Sequence, residues 1–224
     1  MAISDSLQAV KTRITAACVA AGRPPNAVQL LVVSKTFPGS AVREAFAAGA
    51  RAFGENYVQE GLAKVDELRD LRGDIAWHLI GPLQSNKTKP IAEQFDWVHS
   101  VDRLKIAQRL SEQRPADLPP LNVCLQVNIS AEASKSGLLP ADVPALAKQL
   151  AALPRLKLRG LMAIPEPGPG ALAQHQAMAS LFNDLNSQGV ALDTLSLGMS
   201  ADLEDAIAAG STMVRVGTAV FGAR

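Results

Sequence analysis

Short apolar runs of strand character alternate with longer stretches of helical periodicity along almost the whole chain, and few folds accommodate that order. An opening helix shows Leu7, Val10, Ile14 and Cys18 at spacings of three and four, and Gly22 with Pro24 and Pro25 stops it. Strand readings then fall on 30–35, 51–54, 76–80, 97–100, 121–129, 156–164, 194–197 and 213–216. Helical readings fall between them, on 41–48 with Ser40 as N-cap and Gly49 as its close, on 58–71, on a short stretch from Lys87, and on 103–113, 141–152, 172–188 and 201–209. Eight strand candidates, each but the last followed by a helix, predict an α/β protein, a single-domain (β/α)8 TIM barrel over residues 1–224. An open doubly wound sheet is the alternative. It would usually carry G-x-G-x-x-G after its first strand, and the segment after Lys35 has none. The proline- and glycine-dense run 165–170 reads as a surface turn, because the alternation resumes directly after it.

A composition of 48% hydrophobic and 19% charged residues supplies one well-packed core. The formal net charge of +1, without blocks of like charge, argues against a nucleic-acid or membrane surface and for small-molecule or protein partners. Cys18 lies in a helical pattern and Cys124 in a strand pattern, which suits buried thiols in a reducing, cytoplasmic setting. Residues 1–25 lack a basic region followed by an apolar segment, and no run approaches the roughly twenty apolar residues of a membrane span. A soluble, unprocessed protein is expected.

The first strand ends in Lys35, followed by Thr36, Phe37 and the turn signal Pro38-Gly39. That is the strand end at which α/β proteins place their chemistry. Desolvation lowers a lysine pKa and frees the amine to attack an aldehyde, so Lys35 is a candidate Schiff-base lysine. The plainer reading is a lysine that marks the strand's exit into solvent. An aldehyde cofactor with a phosphate would also need a cradle, which barrels build from the loops after strands seven and eight. Here Gly198-Met199-Ser200-Ala201-Asp202 follows the seventh, with Ser200 able to cap the next helix and offer a hydroxyl. Gly217-Thr218 follows the eighth, pairing close backbone approach with a second hydroxyl. Either alone is an ordinary cap or turn; both together, in these positions, favour phosphate.

Alternation in the last strand puts Val214 and Val216 against the helices and Arg215 inside the barrel mouth with Gly217. A pyridine nitrogen could accept from Arg215, and because arginine keeps its protons the ring would stay neutral, a weak electron sink. A buried ion pair with a loop carboxylate accounts for Arg215 equally well. Asn56, ending the second strand, could line the ring or bond its own turn. His78 reads as a core histidine, and no grouping of His78, His99 and His175 with cysteines or carboxylates has metal-ligand spacing, so no metal is expected. Cys124, Gln126 and Asn128 share a face that would look toward a site. Lys135, in the loop 134–137, is a rival amine in a lid or a solvated turn, and Ser85-Asn86-Lys87 reads as a helix cap.

Val33-Ser34-Lys35, Phe53-Gly54-Glu55-Asn56-Tyr57, the run from Trp77 to Lys87 (WHLIGPLQSNK), Gly160-Leu161-Met162-Ala163-Ile164, Leu197-Gly198-Met199-Ser200 and Val214-Arg215-Val216-Gly217-Thr218 form an ordered set. That set resembles the pyridoxal phosphate homeostasis proteins from about the first strand to the last residues. The resemblance implies a barrel similar to the alanine racemase N-terminal domain, holding pyridoxal 5'-phosphate as an aldimine on Lys35. It further implies that Ser200, Gly217 and Thr218 hold the phosphate, Arg215 faces the pyridine nitrogen and Asn56 lines the ring. The implied role is vitamin B6 homeostasis: binding and delivering the cofactor to pyridoxal phosphate-dependent apo-enzymes, as a monomer with no established catalysis.

A racemase of this type needs a second base on the opposite ring face. This sequence has a single tyrosine, Tyr57, and ends at Arg224, directly after the eighth strand, which favours a carrier. A weakly active racemase-like enzyme and a barrel aldolase whose lysine captures a sugar phosphate are the alternatives.

Overall fold

The computed structural model describes residues 2–132, 135–166, 168 and 170–222. Ser134 of the 134–137 loop, Pro167 and Pro169 of the proline–glycine run, and the terminal Arg224 lie outside the described residues. Eight parallel strands close into a barrel in sequence order: β1 Gln29–Val33, β2 Ala52–Glu55, β3 Ala76–Leu79, β4 Trp97–Val101, β5 Leu121–Gln126, β6 Leu156–Met162, β7 Thr194–Ser196 and β8 Met213–Val216. Closure is made by β1 against β8, with Leu30 opposite Val214, Leu31 opposite Arg215 and Val32 opposite Val216.

The helices α1 Ile3–Ala20, α2 Gly39–Ala47, α3 Val58–Glu67, α4 Thr88–Gln94, α5 Leu104–Gln113, α6 Val143–Ala151, α7 Ala171–Ser187, α8 Leu203–Ala208 and α9 Thr218–Phe221 surround it. The last strand does have a helix after it, the four-residue α9. That turn is too short to cover the barrel, and α1 packs against α2, α8 and α9 to complete the ring of helices. Leu7, Val10, Ile14 and Cys18 of α1 are buried in that role. Cys18 and Cys124 are both buried, unlinked thiols.

Outward-facing strand residues such as Val32, Phe53, Trp77, Leu79, Val98, Leu125, Leu161, Val214 and Val216 join the helices in one core. Each such side chain contributes about 1.5–3 kcal/mol relative to exposure. Inside the barrel, Leu31, Ala52 and Met213 form one small cluster and Trp97, Cys124 and Met162 another. No helix among the described residues is long and apolar enough to cross a membrane.

Two expected caps are displaced. Helix α2 begins one residue before Ser40, behind Pro38, whose φ of −70° and missing N–H suit a helix entrance. Helix α8 begins behind Asp202, so Ser200 stands two residues outside it. The segment Ser85–Lys87 is a 3-10 turn that runs into α4; Ser85 contributes its carbonyl, which accepts from Thr88 Oγ1 at 3.0 Å and Arg109 Nε at 2.8 Å.

Candidate functional site

At the carboxyl ends of the strands lies a cavity of about 300 Å³ lined by Lys35, Asn56, Ser200, Arg215, Gly217 and Thr218, with Val33, Phe37, Ile80, Ile164 and Met199 as its apolar wall. Chain segments separated by up to the length of the barrel thus meet because β1 and β8 are neighbours. Strand β1 stops at Val33, and Lys35 sits two residues on, half-buried in a turn. Phe37 turns back onto Phe221 of α9, ring centroids 4.7 Å apart, tying the Lys35 turn to the end of the barrel.

Arg215 is 4% exposed. Its Nη1 donates to Ser196 O at 2.6 Å and Ser196 Oγ at 2.8 Å, and its Nη2 donates to Ala163 O at 2.9 Å. Those bonds use three of the five N–H donors a guanidinium carries, leaving two for a ligand in the cavity. Among the described residues Arg215 makes no ion pair, so the carboxylate partner considered from the sequence is not what holds it. Burial brings its pKa down to about 10, opposed by the charge of Asp202, and it stays protonated at neutral pH.

Behind Arg215 a polar chain crosses the barrel interior. His99 Nδ1 lies 3.1 Å from Ser196 Oγ, and His99 Nε2 lies 2.9 Å from His78 Nδ1. His78 stacks on Trp97 at 5.0 Å, the rings nearly parallel at 8°. His78 and His99, distant in sequence, therefore touch. Burial and the Arg159 charge push His78 down to about 3, and burial with His78 and Arg215 holds His99 well below the usual imidazole value, so both rings are neutral. Among the described residues no three histidine, cysteine, aspartate or glutamate side chains are grouped to hold a metal ion.

The loop after β7 is braced from three sides. Gly198 has φ +91°, and a Cβ there would lie 2.5 Å from Ala206 Cβ, so glycine is required twice over. Asp202 Oδ1 accepts the Met199 N–H at 2.7 Å while Oδ2 lies 3.0 Å from Nε2 of the buried His175 on α7. Burial raises the Asp202 pKa, but the hydrogen bonds from His175 and Met199 outweigh it and leave the carboxyl below its usual range. From α1, Arg13 donates to Ser200 O at 2.8 Å and grips Glu204 with two bonds of 2.5 Å. Gly217 packs so closely on β1 that a Cβ would stand 2.9 Å from Val33 O.

Asn56, which lines the cavity, has its Oδ1 buried without a hydrogen-bond partner among the described residues, an acceptor left over beside the site. With two hydroxyls, spare guanidinium donors, one amine and an apolar wall, the cavity fits a flat, phosphorylated, aldehyde-bearing ring. A second cavity of about 250 Å³ shares Asn56, Ile80 and Ile164 with the first and is lined by Gln126, Asn128, Lys135 and Ser136. Lys135 belongs there, paired with Glu132 at 2.6 Å, and Cys124 of the same face lies deeper, in the barrel core. Phe37, Ile80, Ile164 and Met199 line the cavity without being among the predicted site residues; the sequence marks Phe37 only as part of the turn after Lys35 and the other three only as members of the ordered motif set. Arg13 and His175 gave no signal, because they act from α1 and α7.

Residues 6–224 match the model of the alanine racemase N-terminal domain family. The pyridoxal phosphate homeostasis protein of Pseudomonas aeruginosa is 64% identical over 222 residues, covering 99% of this chain and 96% of the relative. That of Escherichia coli K12 is 55% identical over 226 residues, covering 99% and 97%. The structure of PipY from Synechococcus elongatus with PLP bound superposes with a TM-score of 0.84 at 40% identity, covering 98% of this chain and all of the other. An alanine racemase from Corynebacterium glutamicum, 20% identical with a TM-score of 0.69, shares the fold; the match covers 98% of this chain and 61% of that one. The chain belongs to the pyridoxal phosphate homeostasis protein family, built on the barrel of the alanine racemase N-terminal domain.

Proposed function

We propose that this chain is a single pyridoxal 5'-phosphate-binding unit that serves vitamin B6 homeostasis by holding the cofactor on Lys35 and releasing it to apo-enzymes. The observation that carries the reading is the meeting of Lys35, Asn56, Ser200, Arg215, Gly217 and Thr218 around one cavity. Lys35 Nζ would condense with the aldehyde carbon, forming C=N as the aldehyde oxygen leaves as water. Ser200, Thr218 and the backbone at Gly217 would hold the phosphate, the spare donors of Arg215 would meet the ring nitrogen, and Asn56 would accept from the ring's substituents. When bound, the cofactor supplies an electrophilic carbon and a coloured chromophore.

A carrier is favoured over a racemase by the composition of the wall. Lys35 and Arg215 are the ionisable side chains among its described residues, one amine and one cation that does not give up its proton. Tyr57, 58% exposed, does not line this cavity. A second base for the opposite ring face is therefore missing from the wall. A monomeric state and a cytoplasmic setting belong to the same proposal, the two unlinked thiols supporting the setting.

The test is the visible spectrum of the purified protein beside Lys35→Ala, before and after adding pyridoxal phosphate. A yellow band in the wild type that is absent from Lys35→Ala is expected. No band after addition would discard the reading in favour of an aldolase, and Lys35-dependent turnover of D- or L-alanine would make it an enzyme.

A further inference from the structure

The backbone on both sides of Lys35 is held by a largely buried group of charges that does not line the cavity. Lys64 of α3 is 5% exposed, and its Nζ donates to Ser34 O at 2.6 Å, Glu55 Oε1 at 2.9 Å and Glu60 Oε1 at 2.7 Å. Ser34 Oγ donates to the same Glu55 oxygen at 2.6 Å. Glu60 also accepts the backbone N–H of Thr36. One ammonium thus fixes the carbonyl before Lys35, and a carboxylate bound to that ammonium fixes the amide after it. Thr36 takes φ +65°, a left-handed conformation that a β-branched residue enters only when its surroundings impose it. Gly61 lets α3 come this near, since a Cβ there would lie 2.7 Å from Phe95 and 3.2 Å from Glu55 Cβ.

An ammonium and a carboxylate out of water, with a second, partly exposed carboxylate beside them, are a costly way to hold a turn, and replacing a buried pair with apolar residues would often be neutral for stability. What the group supplies is a fixed exit angle for one side chain. We propose that Lys64, Glu60 and Glu55 are positioning residues for Lys35, setting the turn from which its amine reaches the aldehyde carbon. The inference rests on the reading of Lys35 as the cofactor-bearing lysine. With both flanking peptide groups anchored, the Lys35 side chain starts each approach from one backbone geometry, which shortens the search for an attack distance of about 3–3.5 Å. Lys64 itself, saturated by three acceptors, is kept from competing for the aldehyde.

The experiment separates condensation from binding. Wild type, Glu60→Ala, Glu60→Gln and Lys64→Met are mixed with pyridoxal phosphate, and the visible band is followed by stopped flow, with borohydride trapping and peptide mapping to show that Lys35 carries the adduct. Affinity for pyridoxine phosphate, which has an alcohol in place of the aldehyde, is measured in parallel. Glu60→Ala and Lys64→Met are expected to slow condensation at least tenfold while pyridoxine phosphate binds within about threefold of wild type. Glu60→Gln, which keeps an oxygen for the Thr36 N–H, is expected to recover most of the rate. Condensation within twofold of wild type in both Glu60→Ala and Lys64→Met, or equal losses in rate and affinity, would overturn the proposal. Should Lys64→Met fail to fold, the Glu60 pair decides, because that side chain is 27% exposed. A wild type that traps nothing on Lys35 would bring down the cofactor reading itself, and is told apart because no variant is involved.

Discussion

Arg215 Nη1 donates to the hydroxyl of Ser196 at 2.8 Å, and that same hydroxyl joins the guanidinium to the buried imidazoles behind it. His99 Nδ1 stands 3.1 Å from that hydroxyl and His99 Nε2 stands 2.9 Å from His78 Nδ1, so the four side chains form one hydrogen-bonded line across the barrel. Ser196→Ala would leave the buried His99 Nδ1 unsatisfied and remove one of two bonds that hold Arg215 Nη1. The expected cost is about 1–3 kcal/mol in chemical denaturation. A loss below about 0.5 kcal/mol would show that the chain is not a stabilising unit.

The same imidazoles make stability fall in mild acid. His78 titrates at about 3 in the fold and His99 well below its usual value, against 6.5 for the unfolded groups. Between those limits the unfolded chain binds more protons, so the contribution is complete above pH 6.5 and is lost as pH falls toward 3. From pH 7 to 5.5 the two rings together should remove about 2–3 kcal/mol. Glu55, whose carboxyl burial raises despite bonds from Ser34 and Lys64, works in the opposite direction. Urea midpoints across that range check this, and His78→Gln should roughly halve the slope. Midpoints that do not move with pH would contradict it.

Asp202 holds the loop after β7 by two bonds, one to the Met199 N–H and one to His175. Asp202→Ala should weaken pyridoxal phosphate binding by about tenfold, equivalent to about 1.4 kcal/mol, the worth of one charge-assisted hydrogen bond. Asp202→Asn, which keeps an oxygen for Met199, should lie between. Equilibrium ultrafiltration of the cofactor measures both, and equal affinity in all three proteins would mean that the loop needs no such brace.

How far the sequence could be read follows from the range of each signal. Strand β8 was legible to the residue, because Val214 and Val216 alternate with Arg215 and nothing flanking them mimics a strand. The barrel followed from counting such runs. Ser40 and Ser200 misled because a hydroxyl before an apolar stretch resembles a cap, while Pro38 and Asp202 occupy the entrances. The His78–His99 contact required the register of β3 on β4, which pairs His78 with Trp97 and leaves His99 one turn of the pleat further on. Lys64 sits four residues after Glu60 on a helix, the usual spacing of a solvated pair, and only the approach of α3 at Gly61 buries it.

Gly160 marks where the barrel tolerates least. Strand β6 pairs with β7 through Gly160 opposite Thr194, and a Cβ on Gly160 would fall 1.5 Å from Thr194 O. The obstacle is backbone on a paired strand, so no side-chain rotation relieves it and the two strands must part. Arg215 depends on both strands' ends, through Ala163 O and Ser196 O, so the strain would reach the cavity floor. Gly160→Ala should cost about 3 kcal/mol or more, lowering the melting temperature by about 6–12 °C, and should weaken cofactor binding as well. Gly73→Ala, in a turn where a Cβ meets nothing within 4 Å, is the control and should leave both unchanged. Scanning calorimetry with and without pyridoxal phosphate compares them. A Gly160→Ala protein that melts with the control would mean that β6 and β7 can separate locally without disturbing the Ala163 and Ser196 carbonyls that hold Arg215.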